Sequence, residues 1–308
     1  MGTVLIAGGR GGIGRRLTET LLQHGWNVSV LTRTSSLSSV NHSLQYYYWN
    51  PQRGEFDPAA LKDVYAIVQL AGANIAEGRW TTARKAQLYE SRVASTDFLF
   101  GQVQKHKPPS LKCYIGISAT GYYGTTTTEN IFVESDPPGS DFLAQLCVDW
   151  ERAHRRFSQL GIEVWIYRTG VVLDTASGFL TKILPFARWG LLAPPGRGRH
   201  WLPWIHYRDL VEIFRKSIEG LIPAAVYNAV APEHVRHIDF YRTLVQIIHR
   251  PMLLQYTPPV LLRVLYGEMA YLLLEGSRVS CQKLIDAGYT FHYPEHRKAL
   301  EDLLEQRQ

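Results

Sequence analysis

Cysteine is scarce in this chain: Cys113, Cys147 and Cys281 are the only three among 308 residues. Their odd number and wide spacing supply neither a zinc-type pair nor a redox pair, so buried reduced thiols and no metal site are expected. Long apolar runs are missing too. No stretch of eighteen apolar residues occurs, which excludes a transmembrane helix by length. An apolar strand begins within a few residues of Met1, so no signal peptide is expected and the cytoplasm is the expected compartment. Repeats and low-complexity segments are also lacking. The charge excess is modest, 33 Lys and Arg against 27 Asp and Glu. The cations are dispersed, with short clusters only at Arg155-Arg156 and from Arg197 to His200. An anionic small molecule accounts for that balance better than nucleic acid, and neither a nucleic-acid nor a membrane partner is expected.

What is present is concentrated in the first turn. Val4-Leu5-Ile6-Ala7 runs into Gly8-Gly9-Arg10-Gly11-Gly12-Ile13-Gly14, which reads as a strand, a phosphate loop and the start of a helix. Gly8 can take the positive φ of a tight turn, Gly11 lets backbone amides approach a pyrophosphate, and Gly14 lets the helix pack closely. Gly12 and Ile13 complete the loop, and the diphosphate would sit on the helix's positive end. Ile13, Leu17 and Leu21 mark one helical face, and Gly25 closes the helix. The next strand, from Asn27, ends at Thr32-Arg33, where an NAD enzyme would carry an acid for the ribose 2′-hydroxyl. An acid would repel a 2′-phosphate, whereas Arg33 can pair with it and Thr32, Thr34 or Ser35 can donate hydrogen bonds. NADP(H) is therefore the expected cofactor.

Strands alternate with helical patterns to about residue 172, the signature of a parallel sheet built from βαβ units. Strands are expected at 44–49, 65–70, 112–117 and 163–168, with a long helix over 81–106 and another over 141–160. Ala71-Gly72 is a small-residue bend at the carboxyl edge of the sheet, where ligands bind in open α/β folds. The fold class is therefore α/β, a Rossmann-like doubly wound parallel sheet. Residues 1–172 would form the NADP(H)-binding domain, with later segments returning to it. Residues 173–308 would form a smaller α/β substrate lobe, ending in a distinct region from about 250.

These segments together carry a family resemblance. Gly8 to Gly14, Leu31-Thr32-Arg33, Leu70 to Ile75 with Arg79-Trp80, and Ser91-Arg92 belong to it. So do Ser118 to Gly124, Trp150-Glu151, Arg168 to Leu173, Leu202 to His206 and Tyr227 to Pro232. A C-terminal block from Leu273-Leu274-Glu275-Gly276 to Ala299-Leu300 completes the set. In order and over nearly the whole chain, the sequence resembles an extended short-chain dehydrogenase/reductase of the YfcH-like epimerase family. The resemblance implies that Thr32 and Arg33 face the ribose phosphate and that Leu70 and Ala71 lie along the cofactor. It also implies that Arg92 reaches the phosphates and that Val171 lines the nicotinamide end. The activity implied is an NADP(H)-dependent oxidoreductase or epimerase acting on a small polar, nucleotide-linked substrate; the alternative is a non-catalytic NADP(H)-binding redox sensor.

Short-chain dehydrogenases use a Tyr as acid/base and a Lys four residues later that lowers its pKa. Alignment through Trp150-Glu151 puts Leu143 and Cys147 at those positions, and neither can do that work. The expected nicotinamide edge instead offers Ser118 and Tyr123 as the leading catalytic candidates, with Tyr122 and Thr120 next. Lys112 and Glu134 are the nearest charges in sequence that could tune such a phenol. Downstream, Arg197 or Arg199 could bind a phosphate or carboxylate while Trp189 or Trp201 stacks on a flat group. His206, Asp209 and Glu151 read as structural polar residues.

Overall fold

Burial along the first strand explains why its sequence is uninterrupted by polar residues. In β1 (Thr3–Ala7) every side chain from Val4 onward is buried. Val4 and Ile6 enter one hydrophobic cluster and Leu5 and Ala7 another, as alternation across a sheet covered on both faces requires. The structure, a computed structural model, describes residues 2–34 and 42–305. After β1 come α1 (Gly12–Gln23), β2 (Asn27–Thr32), β3 (Leu44–Asn50), the short β4 (Glu55–Phe56) and β5 (Val64–Gln69). Then follow α2 (Thr82–Tyr89), a π-helical turn (Glu90–Ala94), α3 (Ser95–His106), β6 (Cys113–Ala119), β7 (Ile131–Phe132), α4 (Phe142–Arg155) and β8 (Glu163–Thr169).

The remaining chain gives β9 (Val171–Leu173), α5 (Phe179–Arg188), β10 (Trp201–Leu202), β11 (Trp204–His206) and α6 (Tyr207–Ile218). It continues with β12 (Val226–Ala229), β13 (Val235–Arg236), α7 (His237–Ile247), α8 (Pro259–Tyr266), α9 (Tyr271–Leu274), β14 (Arg278–Val279), α10 (Gln282–Asp286) and α11 (His296–Glu305). Eight strands form one sheet in the order β12-β8-β6-β5-β1-β2-β3-β4. All neighbours are parallel except β4, which runs antiparallel to β3. The chain winds outward from β1 through β2 and β3, then returns to β5 on the other side of β1. That reversal opens a crevice at the carboxyl ends of β1 and β5, where ligands bind in doubly wound, Rossmann-like sheets.

Helices cover both faces. Leu17 and Leu21 of α1 meet Leu210 and Phe214 of α6 over one, while Leu99, Phe100 and Val103 of α3 cover the other. The strands occur where periodicity placed them, within one or two residues at each end. The long helix expected over 81–106 differs. It is interrupted by the π turn at Glu90–Ala94, which no Pro or Gly announces. Asp141 caps α4 through its Oδ1, which accepts from Ala144 N at 2.9 Å.

The C-terminal block is fastened to the sheet by Asp209 of α6. Its buried carboxylate accepts the Tyr289 hydroxyl at 2.8 Å and the backbone N–H groups of His292 and Tyr293 at 2.8 and 3.0 Å. Asp209 is thus a brace, as its sequence context suggests.

Candidate functional site

The glycine loop takes its shape from close approaches that side chains would forbid. Gly8 has φ +84°, and a Cβ there would lie 2.8 Å from the Ala71 nitrogen. A Cβ at Gly14 would stand 2.4 Å from the Gly8 carbonyl oxygen, so this glycine seats the helix against the loop itself. Gly11 N donates to Gly8 O at 3.0 Å, and a Cβ at Gly11 would meet only that oxygen, at 3.3 Å. Ile13 packs its side chain on the core beneath. No side chain caps α1 and no acid occupies its first turn, so its leading N–H groups and positive end are free for an anion.

Gly12 answers to a contact that sequence reading missed. A Cβ there would fall 1.9 Å from the Ser177 hydroxyl oxygen, because the segment after β9 folds over the start of α1. Asp174 holds that segment by accepting Ala176 N and Ser177 Oγ, each at 3.0 Å, and it pairs with Arg16 at 3.0 Å. Burial opposes its charge, but these bonds prevail and keep the carboxyl below its ordinary range.

At the end of β2, Arg33 is exposed and its guanidinium has no partner among the described residues. Thr32 is buried, and its hydroxyl oxygen accepts Thr34 N at 3.1 Å, shaping the turn. Ser35 lies outside the described residues. Arg10, overlooked in the sequence, reaches from the glycine loop to donate to Thr34 Oγ1 at 2.6 Å. Its position between the loop's glycines, beside a strand end that already carries Arg33, was the available signal.

Across the crevice, Leu70 and Ala71 are half-buried and Gly72 is exposed. Leu70 N donates to Ala7 O at 2.8 Å, which ties the end of β5 to that of β1. Gly72 leaves room for Arg92, whose Cζ would lie 3.2 Å from a Cβ there. Arg92 sits on the π turn, donates to Ala73 O at 2.9 Å and lies over Trp150 at 5.2 Å from the ring centre. It has no carboxylate partner among the described residues; Asp97 pairs with Arg156 instead. Burial is the main cause that brings the guanidinium down to about 10. A half-buried cation bonded to two carbonyls and the Ser91 hydroxyl, with no carboxylate beside it among the described residues, is at a sheet switch point an arrangement that an anion completes. Val171 stands half-buried where β8 gives way to β9, its N donating to Pro203 O at 2.7 Å.

The proton-handling candidates divide by burial. Ser118 is buried and donates to Glu151 Oε1 at 3.0 Å. Glu151 also accepts both Nε and Nη2 of buried Arg168, at 2.8 and 3.1 Å. Tyr123 is 2% exposed, donates to Asn228 Oδ1 at 2.7 Å and accepts from Arg168 Nη1 at 3.1 Å. Burial pushes its phenol up to about 12. Both hydroxyls, expected to lead the chemistry, are hydrogen-bonded inside a buried network. Tyr122 and Thr120 are half-buried, and their hydroxyls have no partner among the described residues. The ring of Tyr122 lies under the Arg168 guanidinium, 3.3 Å from its centre. Arg168, rather than Lys112, is the cation beside these tyrosines, and Glu134 instead receives Asn228 N at 2.7 Å. Leu143 and Cys147 back the turn from below, at 3.5 and 3.9 Å from a Cβ at Gly121. Burial raises the Cys147 thiol to about 12, so it stays neutral.

Downstream, Trp201 donates its indole N–H to Thr128 O at 2.9 Å and lies beneath the guanidiniums of Arg236 and Arg278. Its ring, expected to stack on substrate, carries these two cations against it. Arg197 and Arg199 are exposed, and their side chains have no partner among the described residues. No group of three or more His, Cys, Asp or Glu capable of holding a metal occurs among the described residues, and no helix there is long and apolar enough to cross a membrane.

Comparison with known proteins fits this geometry. Residues 4–229 match the NAD dependent epimerase/dehydratase family, and residues 257–303 match a domain of unknown function, DUF1731. Epimerase family protein Mb2239 of Mycobacterium bovis is 38% identical over 291 residues, covering 94% of this chain and 93% of that protein. Epimerase family protein YfhF of Bacillus subtilis is 30% identical over 306 residues, covering 99% and 98%. Among solved structures, human epimerase family protein SDR39U1 (isoform 2) with NADPH aligns with a TM-score of 0.86 at 27% identity, covering 98% of this chain and 99% of that one.

Proposed function

Because the chain belongs to the NAD dependent epimerase/dehydratase family, we propose that it binds NADP(H) and acts as an oxidoreductase or epimerase on a small polar, nucleotide-linked substrate. The observation that carries the cofactor assignment is the end of β2, where Arg33, without a partner among the described residues, and the Arg10–Thr34 bridge stand and the sequence has no acid. The residues present fit the dinucleotide. The uncapped end of α1 and the Arg92 guanidinium would hold the pyrophosphate, and Arg33 with Arg10 would pair the 2′-phosphate. When bound, the nicotinamide supplies hydride exchange with the substrate carbon.

The chain's own work is then to orient and to move a proton. Thr120 donates a hydrogen bond to the substrate oxygen and Tyr122 exchanges the proton, its ring held by Arg168. Arg197 and Arg199 are offered as cations for the substrate's anionic group. The buried Ser118–Glu151–Arg168–Tyr123 network acts as a positioning frame. Leu143 and Cys147 in place of the usual Tyr/Lys pair favour the second reading, a cofactor-binding sensor without turnover.

Binding measurements test the first step. The protein should bind NADPH more tightly than NADH, and Arg33→Asp should weaken NADPH alone by about 1.5–3 kcal/mol, the scale of a charge-assisted bond. Equal affinity of the unmodified protein for both cofactors would defeat the assignment. Turnover is then sought among carbonyl compounds and nucleotide sugars, with Tyr122→Phe as the decisive variant. Loss of turnover with NADPH affinity kept supports the enzyme, and full turnover in that variant moves the proton elsewhere.

A further inference from the structure

Two segments outside the cofactor crevice share an unusual composition. Residues 178–200 and 248–267 contain no Asp or Glu, yet they carry Lys182 and Arg188 in the first, besides the Arg197 and Arg199 assigned above to substrate, and Arg250 and Arg263 in the second. The same segments expose large apolar side chains: Trp189 is 79% exposed, Val260 68%, Leu253 66% and Val264 65%. They form one surface. Leu253 N donates to Gly190 O at 3.2 Å, and Thr257 bonds both Pro194 O and Gly196 N, at 2.8 and 2.9 Å, just before α8 begins. Of the eight residues of α8 only Leu262 is buried, so this apolar helix lies on the molecule with most of its surface uncovered.

We propose that this surface docks the protein on an anionic lipid bilayer. Charge selects the occupant. A second copy meeting this face about a twofold axis would set arginines against arginines, and the acid at its edge, Glu268, is already paired with Lys85. An anionic headgroup layer pairs the cations while the protruding Trp189, Leu253, Val260 and Val264 enter the acyl boundary. The absence of a transmembrane run does not bear on such a contact, which needs no span. Docking would also place the mouth of the crevice at the interface. Lys182 of α5 donates to Ala76 O at 3.2 Å and Arg79 donates to Val264 O at 2.9 Å, so both apolar elements brace the loop that follows β5.

The full chain is tested by co-sedimentation with vesicles of phosphatidylcholine containing 30% phosphatidylglycerol, a composition chosen as roughly that of a charged membrane. Binding should be strong at low salt, weak on pure phosphatidylcholine, and screened by added salt. Arg188→Glu with Arg250→Glu should lower partition roughly tenfold or more, and Val260→Asp with Val264→Asp should abolish it. Circular dichroism melting establishes that each variant is folded, independently of any cofactor. No binding of the unmodified chain at low salt, or full binding of the folded Val260/Val264 variant, overturns the proposal. So does a dimer in solution that these apolar substitutions dissociate, which would assign the face to a second copy.

Discussion

Replacing Tyr123 with Phe separates a frame residue from a proton donor. The substitution keeps the ring, which stacks on Phe132 at 5.0 Å, and removes only the hydroxyl. Asn228 Oδ1 then loses its donor at 2.7 Å inside the protein, and the Arg168 guanidinium loses one acceptor at 3.1 Å. A buried acceptor left unmet costs about 1–3 kcal/mol, and a bond from a charged donor is worth about 1.5–3. Because Arg168 keeps Glu151 and the Glu134 carbonyl, the lower part of that second range applies. A destabilisation of about 2–3 kcal/mol is expected, which at this chain length lowers the melting temperature by about 5 °C. Thermal denaturation reads the first quantity and NADPH titration the second, which should be unchanged. Tyr122→Phe, whose hydroxyl is unspent, should melt within about 1 °C of the parent protein. A Tyr123→Phe protein that melts normally yet loses turnover would refute this reasoning and return Tyr123 to the chemistry.

Two further outcomes follow from the geometry. Gly12→Ala should destabilise by about 1–3 kcal/mol through overpacking against Ser177, and adding Ser177→Gly should recover most of it; strictly additive effects in chemical denaturation would show that the two do not meet. Burial depresses the imidazole of His154 to about 3 and that of His200 to about 4. Below pH 6.5 the unfolded chain binds protons that the folded state refuses, so stability is lost as pH falls. Between pH 6.5 and 5 these two histidines account for about 3 kcal/mol, and a urea midpoint that stays flat over that interval contradicts their burial as neutral rings.

The phosphate loop and its helix were legible because they depend on local spacing: the positive φ of Gly8 is its own, and Gly14 meets the Gly8 carbonyl six positions away. The division among the hydroxyls was not. Ser118 is spent on Glu151 and Tyr123 on Asn228, partners 33 and 105 positions away. Adjacent tyrosines look alike until those partners arrive. The π turn that carries Arg92 was hidden for a related reason, since Glu90 to Ala94 are ordinary helix formers. Arg10 was legible as a cation, because its place between the glycines is itself a matter of local spacing.

The brace at Asp209 has a consequence for how the chain is made. A carboxylate buried in α6 receives its donors from Tyr289, His292 and Tyr293, which emerge from the ribosome some 80 residues after it. Until then the nascent sheet carries an unmet charge on one of its covering helices. The final docking of α6 therefore waits until residues 289–293 have been made, and ribosome-stalled chains ending before residue 289 should stay protease-sensitive at the α6 face.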